Sequence, residues 1–130
     1  MVIEFTVILD DKPGTLAHLG GVLGDAGVNI EAVQGTSREG KTVVRFVTGD
    51  VNAAAAALEQ AGVPYTKREV LVVRVLDEPG ALGSVALVMA NAGINIDSIY
   101  VTTRGHVVLG VDDLTGAIQV AAGMAVMAFD

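Results

Sequence analysis

Asp11-Lys12-Pro13-Gly14-Thr15-Leu16-Ala17, followed by Gly27-Val28-Asn29-Ile30, is the stretch from which the architecture of this chain can be read. The chain writes it again as Asp77-Glu78-Pro79-Gly80-Ala81-Leu82-Gly83, followed by Gly93-Ile94-Asn95-Ile96. Both pieces recur at an offset of 66 residues. A fixed offset held over two separated motifs is the mark of a duplication, so the chain reads as two copies of one unit.

Outward from the first motif, Val2 to Leu9 is rich in β-branched and aromatic residues and reads as a strand. Pro13 fits a first helical position, where its missing N–H costs nothing, and Asp11 is close enough to help cap that end. Leu16, Leu19, Val22, Leu23 and Ala26 mark one helix face, and Gly27 stops the helix as a left-handed cap. Gly20, Gly21 and Gly24 lower helix propensity and read as close-packing positions against a sheet. Val28 to Gly35 and Lys41 to Thr48 read as the next two strands, with a polar turn from Thr36 to Gly40. Asp50 or Asn52 caps an Ala-rich helix from Asn52 to Ala61, closed by Gly62, and Val63 to Lys67 is a short fourth strand. The order strand, helix, strand, strand, helix, strand is the ferredoxin-like one.

The second copy repeats it. Val70 to Leu76 is a strand, and Leu82, Val85, Val88, Met89 and Ala92 form the helix face ended by Gly93. Ile94 to Thr103 and His106 to Val111 form a hairpin shorter than its counterpart. Asp113 caps a helix ended by Gly123, and Met124 to Phe129 is the last strand, with Met124 and Met127 as core or interface residues. Residues 1–68 and 69–130 are the expected domains, meeting without a linker at the charged pair Arg68-Glu69. In this topology the second strand of each unit is an edge, and a bare edge must be covered or paired. The expectation is that Asn29 to Gly35 and Asn95 to Thr103 pair with each other, giving an α+β fold with an antiparallel eight-stranded sheet and four helices on one face.

Composition narrows the function. The chain has 130 residues, 52% of them hydrophobic and 18% charged, a heavy apolar load that implies burial between units or chains. A unit half that long buries only about 60% of its unfolded surface, so two would gain by packing together. Eight basic residues stand against fifteen acidic ones, for a formal net charge of −7. Binding to nucleic acid needs clustered Lys and Arg, so neither nucleic acid nor an anionic membrane is an expected partner. With no cysteine there is no disulfide or thiolate chemistry. No signal peptide and no apolar run of membrane-spanning length is visible, and a cytoplasmic location is expected.

The repeated turn carries the chemistry. A Pro-Gly turn between strand and helix aims backbone N–H groups at a helix N-terminus, where an anion is favoured. The expected donors are Gly14, Thr15 and Leu16, and in the copy Ala81 and Leu82. Gly14 and Gly80 let a ligand approach the backbone, and Asp11 and Asp77 place an acceptor beside the donors. Asn29 and Asn95 each offer an amide, donor and acceptor together, at the start of the edge strand. An amino acid, with one carboxylate and one ammonium, matches this set. One Asp-x-Pro-Gly alone is just a good turn into a helix; both motifs, twice and in register, say more.

The repeated Asp-x-Pro-Gly-x-Leu and Gly-x-Asn-Ile, in this strand and helix order, resemble the ACT domain, a small regulatory module that binds amino acids. Two such domains cover the whole chain, which is most similar to stand-alone bacterial tandem ACT proteins. The resemblance implies sites between two ACT domains, the turn of one facing the edge strand of its neighbour. One site would then combine Asp11, Gly14, Thr15 and Leu16 with Asn95, and its mate Asp77, Gly80, Ala81 and Leu82 with Asn29. The copies differ at Lys12 and Glu78, Thr15 and Ala81, His18 and Ser84, and Gly35 and Val101, so the sites are expected to differ in preference.

Nothing else competes strongly. His18 and His106 lack ligand spacing for a metal, and Ser37, Ser84 and Ser98 lack a nucleophile elbow with a histidine partner. Gly20-Gly21-x-x-Gly24 lies inside a helix and does not open one, unlike a dinucleotide motif. The expected function is an allosteric, non-enzymatic amino-acid sensor without cofactor or metal, acting as a homodimer. The alternative is a regulatory subunit for an amino-acid metabolic enzyme or a transcription factor. A small enzyme would need an acid–base constellation that this sequence does not show.

Overall fold

The computed structural model describes residues 1–129. It divides into two compact units, one of Ile3–Arg68 and one of the residues from Glu69 onward together with Met1–Val2. The first unit holds β1 (Val2–Asp10), α1 (Thr15–Asp25), β2 (Ile30–Arg38), β3 (Lys41–Thr48) and α2 (Val51–Gln60). β4 (Thr66–Val73) follows. The second unit adds α3 (Ala81–Asn91), β5 (Ile96–Val101), β6 (Val107–Val111), α4 (Leu114–Ala121) and β7 (Ala125–Val126).

In the first unit β3 lies between β1 and β2, and both pairings are antiparallel. Opposed residues share a face of a sheet. The pairs Phe5↔Phe46 and Val7↔Val44 therefore turn together toward the helices, where they pack with Leu19 and Leu23 of α1 and Ala54 and Leu58 of α2. Phe5 and Phe46 stack with ring centroids 5.1 Å apart, and Tyr65 tilts against Phe5 at 5.4 Å. Each such buried ring or aliphatic side chain stabilises the fold by roughly 1.5–3 kcal/mol. The second unit repeats the scheme: β6 pairs with β4 on one side and β5 on the other, while β7 pairs with β4. Its core joins Leu71, Val73, Val107 and Leu109 to Val85, Met89, Ala117 and Ala121. Leu71 and Val73 stand at the 66-residue offset from Phe5 and Val7, so the duplication extends to the register.

The helix ends follow local chemistry. Gly27, Gly62 and Gly93 all have positive φ, between 70° and 73°. After α1, Val28 N–H bonds Leu23 O at 3.0 Å and Gly27 N–H bonds Gly24 O at 2.9 Å. Gly62–Val63 and Gly93–Ile94 make the same pair of bonds after α2 and α3. This two-bond stop leaves the next residue, Val28 or Ile94, buried against the core. Asp50 caps α2 through Ala53 N–H at 3.0 Å, and Asp113 caps α4 through Gly116 N–H at 3.0 Å. α4 ends at Ala121, and a short 3-10 turn over Ala122–Met124, with Ala122 at φ 30°, replaces the expected stop at Gly123.

Several expectations change. The separate strands Val63 to Lys67 and Val70 to Leu76 are one strand, Thr66–Val73, so there are seven described strands and not eight. Arg68 does not break it, because its Nε donates to Glu4 Oε1 at 2.9 Å. It is the buried Glu4 carboxylate that needs a partner, and Arg68 supplies it from within the continuous strand. Neither edge strand pairs with the other: β2 has only β3 beside it and β5 only β6. The last strand shrinks to Ala125–Val126, and Met127 is exposed. Gly20, Gly21 and Gly24 face open space, so close packing does not explain them. Leu16 and Leu82, assigned to the buried helix faces, are exposed. No described helix is long and apolar enough to cross a membrane.

Candidate ligand site at the duplicated turn

Both turns share one backbone device. Gly14 and Gly80 sit at the N-caps of α1 and α3 in the left-handed region, with φ 94° and 88°. A Cβ at either position would meet nothing within 4 Å, so the glycine serves the backbone angle and not a crowded contact. Pro13 consequently lies before the helix and not at its first position, and Asp11 does not cap it; neither helix has a side-chain cap. The first bonds along the helices run from His18 N–H to Gly14 O and from Ser84 N–H to Gly80 O, each 3.0 Å. The N–H groups of Thr15, Leu16 and Ala17 therefore have no helical acceptor and point out of the helix start. In the copy Ala81 N–H is taken by Glu78 O at 3.2 Å, which removes one expected donor and leaves Leu82 and Gly83.

The side chains around the turns differ sharply. At the first, Asp11 is held by its own hairpin: Ser37 Oγ donates to Oδ2 at 2.6 Å and Thr42 Oγ1 to Oδ1 at 3.3 Å. Thr15 Oγ1 donates to Asp10 O at 2.8 Å and to Lys12 O at 3.1 Å. Lys41 Nζ bonds the Asp10 carboxylate. That bond, with the charge of Lys41, lowers the Asp10 pKa below its ordinary value, although the pair is exposed. The positively signed φ of Glu39 and Gly40, 52° and 78°, gives the tight hairpin turn that brings Ser37 and Thr42 to Asp11.

At the second turn these ties are gone. Leu76 stands at the position of Asp10 and Ala81 at that of Thr15, and the β5–β6 hairpin is shorter. Asp77 has no hydrogen-bond partner among the described residues. A groove of about 500 Å³ opens between the turn and the hairpin, lined by Asp77, Glu78, Ala81 and Leu82 on one side and Ile99, Val101 and Val107 on the other. Its volume falls in the ordinary range for small-ligand sites, roughly 300–1,000 Å³. A second hollow, about 390 Å³, lies on the α3 side of the same segment, against Val85, Val88 and Met124.

The structure thus brings Asp11, Gly14, Thr15 and Leu16 together, and separately Asp77, Gly80, Ala81 and Leu82. It does not bring either asparagine to its own unit's turn. Asn29 and Asn95 follow the C-terminal ends of α1 and α3, and an eleven-residue helix spans about 16 Å. Asn29 Nδ2 donates to Glu31 Oε1 at 3.2 Å, and Asn95 N–H to Asp112 Oδ1 at 3.0 Å. The groove wall at Ile99 and Val101 was not assigned from sequence, although two apolar residues alternating on an edge strand beside a Gly-to-Val change were its visible sign. His18 is an exposed helix residue, and no cluster of three metal-ligating side chains occurs among the described residues. His106 Nδ1 is buried without a hydrogen-bond partner.

Comparison with known proteins agrees with the fold. A protein of Bacteroides thetaiotaomicron superposes with a TM-score of 0.85 at 22% identity, covering 92% of this chain and 86% of its own. The ligand-free regulatory subunit of aspartate kinase from Thermus thermophilus gives 0.71 at 19% identity over 92% and 87%. An assembly of aspartokinase alpha and beta subunits gives 0.66 at 21% identity over 92% and 88%. At these identities the likeness is one of fold. No curated protein matches in sequence. The family model of the ACT domain matches residues 2–61 and again 70–125. With both copies matched over nearly their whole length, the chain belongs to the ACT-domain family, as a tandem pair.

Proposed function

We propose that this chain is a non-enzymatic sensor that binds a free amino acid at its strand-to-helix turns and acts by ligand-linked stabilisation. The observation that carries the reading is the second turn. There Asp77 and Leu82 line one groove, and the N–H groups of Leu82 and Gly83 at the start of α3 have no helical acceptor, so a partner for each charged end of an amino acid stands in one stretch of chain. The tandem ACT architecture supports it. Asn95 and Asn29 join the first and second turns only through a neighbouring ACT unit, and the exposed edges of β2 and β5 leave a second copy of the chain able to supply one.

The test is thermal unfolding against a panel of the proteinogenic amino acids. At a concentration about 100 times Kd, a ligand of the folded state adds roughly 2.7 kcal/mol and raises Tm measurably. A panel with no shift for any amino acid refutes the sensor. Binding that survives Asn29→Ala with Asn95→Ala undiminished refutes the asparagine assignment alone. A second reading follows from the likeness in fold to an aspartate kinase regulatory subunit: the chain is a regulatory subunit of an amino-acid metabolic enzyme. Co-purification of such an enzyme with the tagged chain would favour it, and a homodimer at all concentrations would not.

A further inference from the structure

Resting on the sensor reading, we infer that the groove of the second unit selects an amino acid with a branched aliphatic side chain and that the first turn does not. Four apolar side chains surround the groove while standing open to solvent: Leu76 at 71% exposure, Leu82 at 49%, Ile99 at 41% and Val101 at 62%. An exposed apolar patch of this kind, rimmed by polar groups, marks a binding surface. Its charged neighbours are Asp77 and Glu78, both acidic, and no basic residue lines it. An acidic side chain would meet repulsion there, and a polar one would be desolvated against Leu76, Leu82, Ile99 and Val101, none of which can hydrogen-bond it. An aliphatic side chain loses nothing on the same wall, while its ammonium meets Asp77 and its carboxylate meets the N–H groups at the start of α3.

The counterpart positions in the first unit are Asp10 for Leu76, Leu16 for Leu82, Val33 for Ile99 and Gly35 for Val101. Two of the four apolar groups are thus absent. Asp10 is engaged with Lys41, and Asp11 with Ser37 and Thr42. The duplication kept the backbone of the turn and changed the surface it presents.

The test is isothermal titration calorimetry on the full chain with L-leucine, L-isoleucine and L-valine against L-serine and L-aspartate. At least one branched aliphatic ligand binds tenfold or more tightly than the polar ones. Ile99→Thr and Val101→Thr, surface changes that keep the branch at Cβ and replace an apolar arm by a hydroxyl, each weaken it by roughly tenfold. Val33→Thr in the first unit leaves the affinity unchanged within about twofold, the scale below a single lost apolar contact. Tightest binding of a polar amino acid, or a loss caused by Val33→Thr and not by Ile99→Thr and Val101→Thr, overturns the inference and leaves the sensor standing. Failure of every amino acid to bind removes the sensor reading and this inference with it.

Discussion

Replacing Arg68 by methionine tests why β4 runs unbroken. Glu4 is fully buried, and its carboxylate is met by Arg68 Nε at 2.9 Å and more distantly by Arg45 Nε at 4.0 Å. Arg68→Met keeps the aliphatic stem that covers the strand and removes the nearer cation. Stripping one partner from a buried ion pair costs about 3–5 kcal/mol, because the other charge is left without compensation. Here the Arg68 and Arg45 side chains are 39% and 34% exposed, and Arg45 remains. The lower end, about 3 kcal/mol, is therefore expected. For a domain stabilised by about 5–15 kcal/mol this is a large share, and Tm of that unit should fall by roughly 12–24 °C.

The assay is urea unfolding followed by far-ultraviolet circular dichroism, fitted for midpoint and slope. Two units in one chain can unfold separately, so the loss is read from the transition of the unit containing Ile3–Arg68. The double change Glu4→Met with Arg68→Met should recover most of the stability, since a buried ion pair is often replaceable by apolar residues of similar volume. The coupling between the two single changes should then exceed about 1 kcal/mol. A cost below about 0.5 kcal/mol for Arg68→Met, the level of an ordinary surface change, would refute the reasoning. So would single changes that simply add.

Two smaller predictions concern helix ends and pH. A Cβ on Gly116 would come within 2.4 Å of Asp113 Oδ2, whereas one on Gly83 meets nothing within 4 Å. Gly83→Ala should stabilise α3 by about 0.5–1 kcal/mol, and Gly116→Ala should bring no gain because it displaces the Asp113 cap, both read by chemical unfolding. For the exposed Asp10–Lys41 pair, the lowered Asp10 pKa means its contribution is complete above the unfolded carboxylate value. It is lost as pH falls through the depressed folded value. Lys41→Met should return the Asp10 titration, followed by carbon NMR of its carboxyl group, to the ordinary range; an unmoved titration would remove Lys41 as the cause.

What was legible in the sequence obeyed local rules. Gly27, Gly62 and Gly93 announced their helix stops because a left-handed cap is a property of the residue itself; Asp113 announced its cap likewise, while for α2 Asp50 was one of two candidates beside Asn52. The repeat at 66 residues carried the family. What was not legible depended on residues far apart in the chain. Arg68-Glu69 looked like punctuation until Glu4 was found beside Arg68. Asp11 looked free to meet a ligand, but Ser37 and Thr42 reach it across the hairpin. The groove wall at Ile99 and Val101 depends on a hairpin too short to fill the space beside the turn, and hairpin length does not show which face it leaves open.

The contrast between the turns bears on which of them can report a ligand. A ligand shifts an equilibrium only by its differential affinity for two states. The first turn is already fixed by side-chain bonds from Thr15, Ser37, Thr42 and Lys41. Its conformation is secured without a ligand, and binding there would change little about its order. The second turn has no corresponding ties, and apolar side chains around it stand in water. A ligand seated there would cover those side chains and supply the polar partners that the first turn finds in its own chain. On the proposed function, the stabilising response to an amino acid should therefore arise chiefly at the second turn. Reinstating a tie there, as Ala81→Thr would by copying Thr15, should shrink the ligand-induced rise in Tm while raising the Tm of the free chain.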